Sequence, residues 1–183
     1  MKEISLHIMD IVQNSITANA TLVEVRLDIQ YAKNTVSVTI RDNGRGMSKE
    51  MLEHVTSPFV TTRTTRRVGL GISLFQAGAQ ATGGEFSIDS TEGVGTVVRA
   101  VYALDHLDRP PIGDFAGTLH TLIVSNPDID FLVAVVVDES EDVLDTREVK
   151  QVLGADVPLD TPDISIWLKE NLDEMFKPEY IDF

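Results

Sequence analysis

The chain of 183 residues suits one large domain or two small ones, and its 43% apolar and 24% charged residues are typical of a globular protein. It has no cysteine, no apolar run near the roughly 18 residues of a membrane helix and no signal-peptide pattern, so we expect a cytoplasmic protein without disulfides or membrane contact. Its net charge of −14 disfavours nucleic acid as a partner, because phosphates attract basic proteins.

Residues 4–19 are predicted to form a helix, because their apolar side chains recur three and four positions apart. A polar stripe on this helix carries Asp10 and Asn14, which are spaced one turn apart. Asp10 is the only formal charge between Ile4 and Val23, whereas a solvent-facing stripe usually carries Lys and Glu. We therefore expect the stripe to face protein or ligand.

Residues 23–29 and 36–40 alternate between apolar and polar side chains, which predicts two half-buried strands in a hairpin. The second strand leads into Asp42-Asn43-Gly44-Arg45-Gly46-Met47, and Ser48 then begins a short helix to His54.

A loop rich in Thr and Arg, 57–68, precedes Gly69-Leu70-Gly71, where an apolar helix begins that ends at Gly83-Gly84. Strands near 85–90 and 96–104 follow. Together these elements predict an α/β fold, an α+β two-layer sandwich in which helices cover one face of a mixed sheet.

The acidic residues are concentrated near the C-terminus. Residues 1–105 carry ten Lys and Arg and eleven Asp and Glu, whereas residues 106–183 carry five and eighteen. The stretch 108–113 contains Pro and Gly and suits a linker, so the sequence predicts a near-neutral domain of residues 1–105 and a small acidic α/β module of residues 106–183. Within that module we expect helices at 113–125, 146–153 and 161–176, and a buried strand at 131–137 that turns into a short partner around 143–144.

The first pattern that suggests chemistry is the pair Asp10 and Asn14. A carboxylate can accept a proton from an attacking water or hydroxyl, or orient it. An amide oxygen one turn away suits Mg²⁺, which takes few protein ligands and fills its remaining positions with water and phosphate oxygens. A solvated helix face is the alternative interpretation of the same pair.

Two glycine patterns suggest a ligand site as well. The Asp42 carboxylate can accept a hydrogen bond from an exocyclic amine, and Gly44 and Gly46 let the backbone approach a flat ligand or adopt a positive φ. Amide groups where Gly69 and Gly71 open a helix favour phosphate oxygens. Taken singly, each pattern is also compatible with a plain glycine turn.

The order of these patterns resembles that of the GHKL family of ATP-binding domains, which have the Bergerat fold and include the gyrase, heat-shock chaperone, histidine kinase and mismatch-repair ATPases. An Asp-x-x-x-Asn helix, a hairpin ending in Asp-x-Gly-x-Gly, a Thr/Arg loop and a Gly-x-Gly helix follow one another over residues 3–104. The resemblance implies that ATP binds with Asp42 on the adenine amino group, Asn14 on Mg²⁺, and Gly44 and Gly46 shaping the adenine pocket.

The resemblance extends to three further segments. Residues 57–63 are similar to the phenylalanine-containing start of the nucleotide lid, Gly69 and Gly71 correspond to phosphate contacts, and Gly93-Val94-Gly95-Thr96 is similar to the last glycine motif, with Thr96 beside the adenine. Lid arginines can close on phosphates. The nucleotide-binding residues that the resemblance implies are Asn14, Asp42, Gly44, Gly46, Met47, Phe59, Thr61, Thr62, Arg63, Arg66, Gly69, Leu70, Gly71 and Thr96.

The sequence also departs from the family. Asp10 stands where the hydrolytic members have Glu, so its carboxylate is one methylene shorter, and no segment resembles the kinase dimerisation helix with its phosphoacceptor histidine.

Two functions stay open. As an enzyme, with Asp10 as the catalytic residue, the protein would phosphorylate a partner protein, like a histidine kinase domain or an anti-sigma-type serine kinase, or hydrolyse ATP slowly. As a non-catalytic module, it would use ATP to gate binding of a partner. Both functions imply a protein partner, and a homodimer is one option for the oligomeric state.

Overall fold

The computed structural model describes residues 3–56, 70–154 and 157–177. Within these residues, none of the helices is long and apolar enough to cross a membrane. The described elements are, in chain order, α1 (Ile4–Thr17), β1 (Leu22–Gln30), β2 (Thr35–Asp42), α2 (Lys49–Thr56), α3 (Leu70–Ala81), β3 (Phe86–Thr91), β4 (Gly95–Ala103), α4 (Phe115–Ser125), β5 (Asp130–Val137), β6 (Ser140–Asp145), α5 (Thr146–Leu153) and α6 (Pro162–Met175), with a 3-10 turn at Tyr31–Lys33.

All six described strands belong to one sheet, in the order β3-β4-β2-β1-β5-β6. The neighbours pair antiparallel except β1 and β5, which run parallel, so the sheet is mixed, as predicted. The inward side chains of the strands form one hydrophobic core with α1, α3, α4 and α6. The predicted α+β sandwich is therefore confirmed.

The burial of each strand follows from its sequence pattern. In β1 the side chains alternate, and Val23, Val25, Leu27 and Ile29 are all buried while the residues between them lie on the other face. In β5 both faces are largely covered, and four successive residues, 133–136, are buried. That is why its sequence reads as an almost continuous apolar run, as in strands with parallel partners.

The residues after 105 extend the same sheet. Strand β5 lies directly against β1, with Val25 opposite Val133 and Leu27 opposite Val135. The buried side chains of α4 and α6 belong to the same core as those of α1. A domain boundary near residue 105 stays a prediction. The segments on its two sides share one sheet and one core.

Replacing Phe131 by Ala tests whether the two segments unfold together. The ring is fully buried on β5, so its removal is expected to lower the free energy of unfolding by about 3–5 kcal/mol. Urea unfolding should be followed by fluorescence of Trp167, the single tryptophan, which lies on α6, and by amide hydrogen exchange in β2. If the chain unfolds as one cooperative unit, the urea midpoint seen by Trp167 fluorescence and the midpoint seen by exchange in β2 fall by the same amount.

A matched control is Val143→Ala on the neighbouring strand β6, where the side chain is 56% exposed and the expected change is within about 0.5 kcal/mol. If Phe131→Ala shifted the midpoint measured by Trp167 fluorescence but not the midpoint measured in β2, the two segments would not share one cooperative core.

Candidate functional site

A cavity of about 130 Å³ lies between α1 and the ends of β2 and β4. Its walls are mainly apolar with a few polar groups, which is the composition expected of a small-molecule site. The polar lining residues are Asn14, Ser15, Thr17, Asp42, Arg45 and Thr96, and the others are Ile11, Ala18, Ile40, Gly46, Met47, Met51, Val55, Ile72 and Val98.

The Asp42 carboxylate is held by donors on two sides. Its Oδ2 accepts a hydrogen bond of 2.7 Å from the Ser15 hydroxyl, and its Oδ1 accepts one of 2.8 Å from the Gly44 amide. These two bonds fix the carboxylate at the end of β2. Since each carboxylate oxygen has two lone pairs, Asp42 can still accept a further hydrogen bond from a ligand.

Ser15 is a site residue that the sequence analysis missed. It continues the apolar stripe of α1 at the spacing of Ile8 and Ile11, yet it is a polar residue and only 1% exposed. A buried hydroxyl needs a partner, so a serine interrupting an apolar stripe was the available signal. The identity of that partner, 27 residues further along, was not deducible from spacing.

Ser90 on β3 is a second missed residue, and it ties together the two loops of the cavity wall. It accepts a hydrogen bond of 2.8 Å from the Met47 amide and donates one of 3.1 Å to the Gly95 carbonyl oxygen. Its hydroxyl also lies 2.8 Å from that of Thr96, which lines the cavity. Ser90 therefore holds the segment after β2 against the start of β4.

Three glycines permit this close packing. Gly46 has a φ of +64°, and a Cβ there would lie 2.0 Å from a backbone oxygen of β3. Gly95 has a φ of +139°, and its Cβ would lie 2.0 Å from the backbone oxygen of Asp42. At Gly44 a Cβ would lie 2.9 Å from Ala18, so this glycine lets the loop approach the end of α1.

The start of α3 lies against Asp10. A Cβ built on Gly71 would lie 2.6 Å from the Asp10 Cβ and 3.3 Å from its Oδ2. The first turn of a helix presents free amide donors, which attract anions such as phosphate. The exposed carboxylate of Asp10 and the start of α3 are therefore neighbours, while Asn14 lies one turn along α1 and lines the cavity.

The structure thus brings part of the sequence-predicted set together. Asn14, Asp42, Gly46, Met47 and Thr96 line the cavity. Gly44 donates a hydrogen bond to Asp42, which lines the cavity, whereas Asp10 and Gly71 are not lining residues but pack against each other. Leu70 is the first residue of α3. The remaining predicted residues lie outside the described part of the chain and their roles stay predictions: Phe59, Thr61, Thr62, Arg63, Arg66 and Gly69.

A metal ion would find few protein ligands here. Within the described residues, no group of three or more His, Asp or Glu side chains is placed to hold one. The Asn14 side chain lines the cavity and would supply one amide oxygen, which fits a Mg²⁺ ion that takes most of its ligands from phosphate oxygens and water.

Comparison with known proteins identifies the family. Residues 2–106 match the model of the histidine kinase-, DNA gyrase B- and HSP90-like ATPases, which is more than half of the chain. The protein therefore belongs to this family, as the GHKL resemblance of its sequence predicted.

Among curated relatives, a sensor protein of Shewanella frigidimarina (strain NCIMB 400) is 35% identical over 103 residues, covering 55% of this chain and 16% of that protein. The cell-division control histidine kinase PdhS of Brucella ovis is 30% identical over 116 residues, covering 56% of this chain and 11% of that protein. The chain thus spans only a small fraction of the length of these relatives.

Solved structures show the same fold. The N-terminal domain of a DNA repair protein superposes with a TM-score of 0.53 at 17% identity, covering 84% of this chain and 57% of that one. The ATP-binding domain of topoisomerase IV from Francisella tularensis has a TM-score of 0.50 at 15% identity, covering 78% of this chain and 87% of that one. Each superposition covers a larger part of this chain, 84% or 78%, than residues 2–106 make up. The likeness in fold therefore continues into the acidic segment.

Proposed function

We propose that the protein binds Mg²⁺-ATP in the cavity beside α1 and transfers its γ-phosphoryl group to a partner protein. The observation that carries this proposal is the Asp42 carboxylate, fixed by Ser15 and Gly44 in a cavity that Asn14 and Thr96 also line. Membership of an ATPase family and relatives that are histidine kinases support the same conclusion.

The adenine ring would lie at the Asp42 end of the cavity. Adenine presents an exocyclic amine that donates to a carboxylate, and the apolar side chains of Ile40, Met51 and Val98 suit the faces of a flat ring. Guanine presents a carbonyl oxygen at the equivalent position, which would face the acceptor-only carboxylate.

The phosphates would extend towards the start of α3. The amide groups of its first turn favour phosphate oxygens, and Asn14 would supply one ligand to Mg²⁺. When bound, Mg²⁺ neutralises phosphate charge and so favours transfer.

Asp10 is the proposed catalytic residue. During transfer a side-chain oxygen or nitrogen of the partner bonds to the γ-phosphorus, the bond from that phosphorus to the bridging oxygen breaks, and ADP leaves with the electron pair. The acceptor's proton passes to Asp10, whose carboxylate is exposed beside the start of α3 and is therefore accessible to a partner. Slow ATP hydrolysis is the same reaction with water as the acceptor.

The test is incubation with γ-labelled ATP and candidate partner proteins. Label on a partner supports the kinase, and label released as free phosphate supports the ATPase variant. Nucleotide binding without either outcome would favour a non-catalytic module in which ATP gates binding of a partner.

Nucleotide selectivity tests the adenine assignment. ATP is expected to bind about 10- to 100-fold more tightly than GTP by calorimetry, because a mismatched buried acceptor costs about 1–3 kcal/mol. Asp42→Asn should remove most of this preference. The control is Asp89→Asn, which changes an exposed carboxylate on β3 and should leave both affinities unchanged. Equal affinity of the unmodified protein for ATP and GTP would exclude Asp42 as the adenine acceptor.

Substitutions of Asn14 and Asp10 on α1 are expected to have different effects on binding and turnover. Asn14→Ala should weaken Mg²⁺-ATP binding and abolish turnover, whereas Asp10→Asn should bind normally and lower only the rate, by about 100-fold or more. Asp10→Glu restores the carboxylate length of the hydrolytic relatives and is expected to raise hydrolysis. The exposed neighbour Gln13→Ala serves as control for both measurements.

Poor ATP binding by Asp10→Asn, with unchanged turnover of the bound fraction, would make Asp10 a binding residue and remove the proposed base.

A further inference from the structure

The outward side of α1 is apolar where a solvated helix would carry charge. Leu6 is 44% exposed there, and Met9 follows three residues later and is half-buried. On the adjacent helix α3, Leu74 is 39% exposed. No Lys, Arg or Glu lies between Ile4 and Val23 to solvate this side. Exposed apolar side chains grouped on neighbouring elements are typical of contact surfaces.

This apolar side is continuous with the proposed catalytic residue. Leu6, Met9, Asp10 and Gln13 are spaced by three, four and seven residues, so they follow one stripe along α1. Asp10 and Gln13 are both exposed. A protein that contacts Leu6 and Met9 would therefore lie within one helical turn of Asp10.

An open groove of about 380 Å³ lies between α1 and α4, and Leu6 and Met9 line it on the α1 side. The α4 side of the groove presents three small residues, Gly117, Thr118 and Thr121, which leave room for a partner's side chains, together with His120, whose ring lies 3.0 Å from oxygens of Ser165 on α6. Helix α4 lies outside residues 2–106, so this wall comes from the part of the chain that the family model does not match. The acidic segment thereby completes a surface that begins on the family's own helix.

The charges at the margins of this surface are mainly negative. Glu3 and Asp114 line the groove, and Asp10 lies on the opposite side of the stripe. The one lysine of the groove, Lys169, forms an ion pair with Asp173, so its charge is compensated. A second copy of this chain would bring like charges together, whereas a basic segment would meet opposite ones.

We infer that the surface formed by Leu6, Met9 and Leu74, with Glu3, Asp10 and Asp114 at its margins, docks an amphipathic basic helix of the phosphoacceptor protein. This inference rests on the proposed function, because the docked helix would bring its protein to Asp10. The apolar face of the helix lies on Leu6, Met9 and Leu74, and its lysines or arginines face Glu3 and Asp114, so that Asp10 stays available for the acceptor's proton.

The experiment uses the full chain and two synthetic peptides of about 18 residues, a length at which a helix can form. In one peptide, leucines recur three and four positions apart among lysines. In the other, every leucine is replaced by glutamine at the same charge. Affinities are measured by calorimetry, and contacts by amide chemical shifts. The double variant Leu6→Ser, Leu74→Ser is compared with the control Leu107→Ser, Val152→Ser, which removes two apolar side chains that are 95% and 88% exposed elsewhere.

The inference predicts that the leucine peptide binds, shifts the amides around Leu6, Met9 and Thr121, and loses about tenfold in affinity in the Leu6/Leu74 variant only. It is overturned if the leucine peptide does not bind, if the glutamine peptide binds equally, or if the shifts lie elsewhere on the acidic segment. ATP titration of the same proteins is read separately, so a failure of nucleotide binding is distinguished from a failure of docking.

Discussion

The fixed carboxylate of Asp42 is the interaction on which the site depends. An ionised side chain at the end of a strand would normally turn towards water, but the Ser15 hydroxyl and the Gly44 amide hold this one between α1 and β2. Hydrogen bonds to an ionised acceptor are about twice as strong as neutral ones. A ligand therefore meets an acceptor whose position is already set, and little ordering is needed on binding.

Close backbone contacts make this arrangement possible. The loop after β2 reaches the end of α1 through the Arg45 amide, which donates a hydrogen bond of 2.9 Å to the Ala18 carbonyl. It reaches the turn between β3 and β4 through the Arg45 carbonyl, which accepts one of 2.7 Å from the Gly93 amide. Gly46 and Gly95 have no Cβ to obstruct these contacts. The cavity wall is thus held by the backbone, while the side chains remain available to a ligand.

Much of this could be predicted from the sequence because it depends on local pattern. The helical spacing of α1 and the alternation of β1 and β2 specified the elements. The GHKL resemblance placed Asn14, Asp42, Gly46 and Thr96 in one site, and in the structure all four line one cavity. The order of the motifs along the chain indicated that resemblance, and the matched family model bears it out.

Other features depend on contacts between residues far apart and were not predictable. The partners of Ser15 and Ser90 are set by how α1, β2, β3 and β4 pack, which no spacing reveals. The apolar run of β5 indicated a buried strand, but not that its partner would be β1, more than 100 residues earlier. Likewise, Gly71 was predicted to contact phosphate, and its close packing against Asp10 appears only in the fold.

The most direct test of the site is a titration of isotopically labelled protein with Mg²⁺-ATP, followed by the amide chemical shifts of each residue. The account predicts that the largest changes occur at Asn14 and Ser15, at the loop from Asp42 to Met47, at Gly95 and Thr96, and in the first turn of α3. Changes centred elsewhere, or none at millimolar nucleotide, would contradict an ATP site in this cavity.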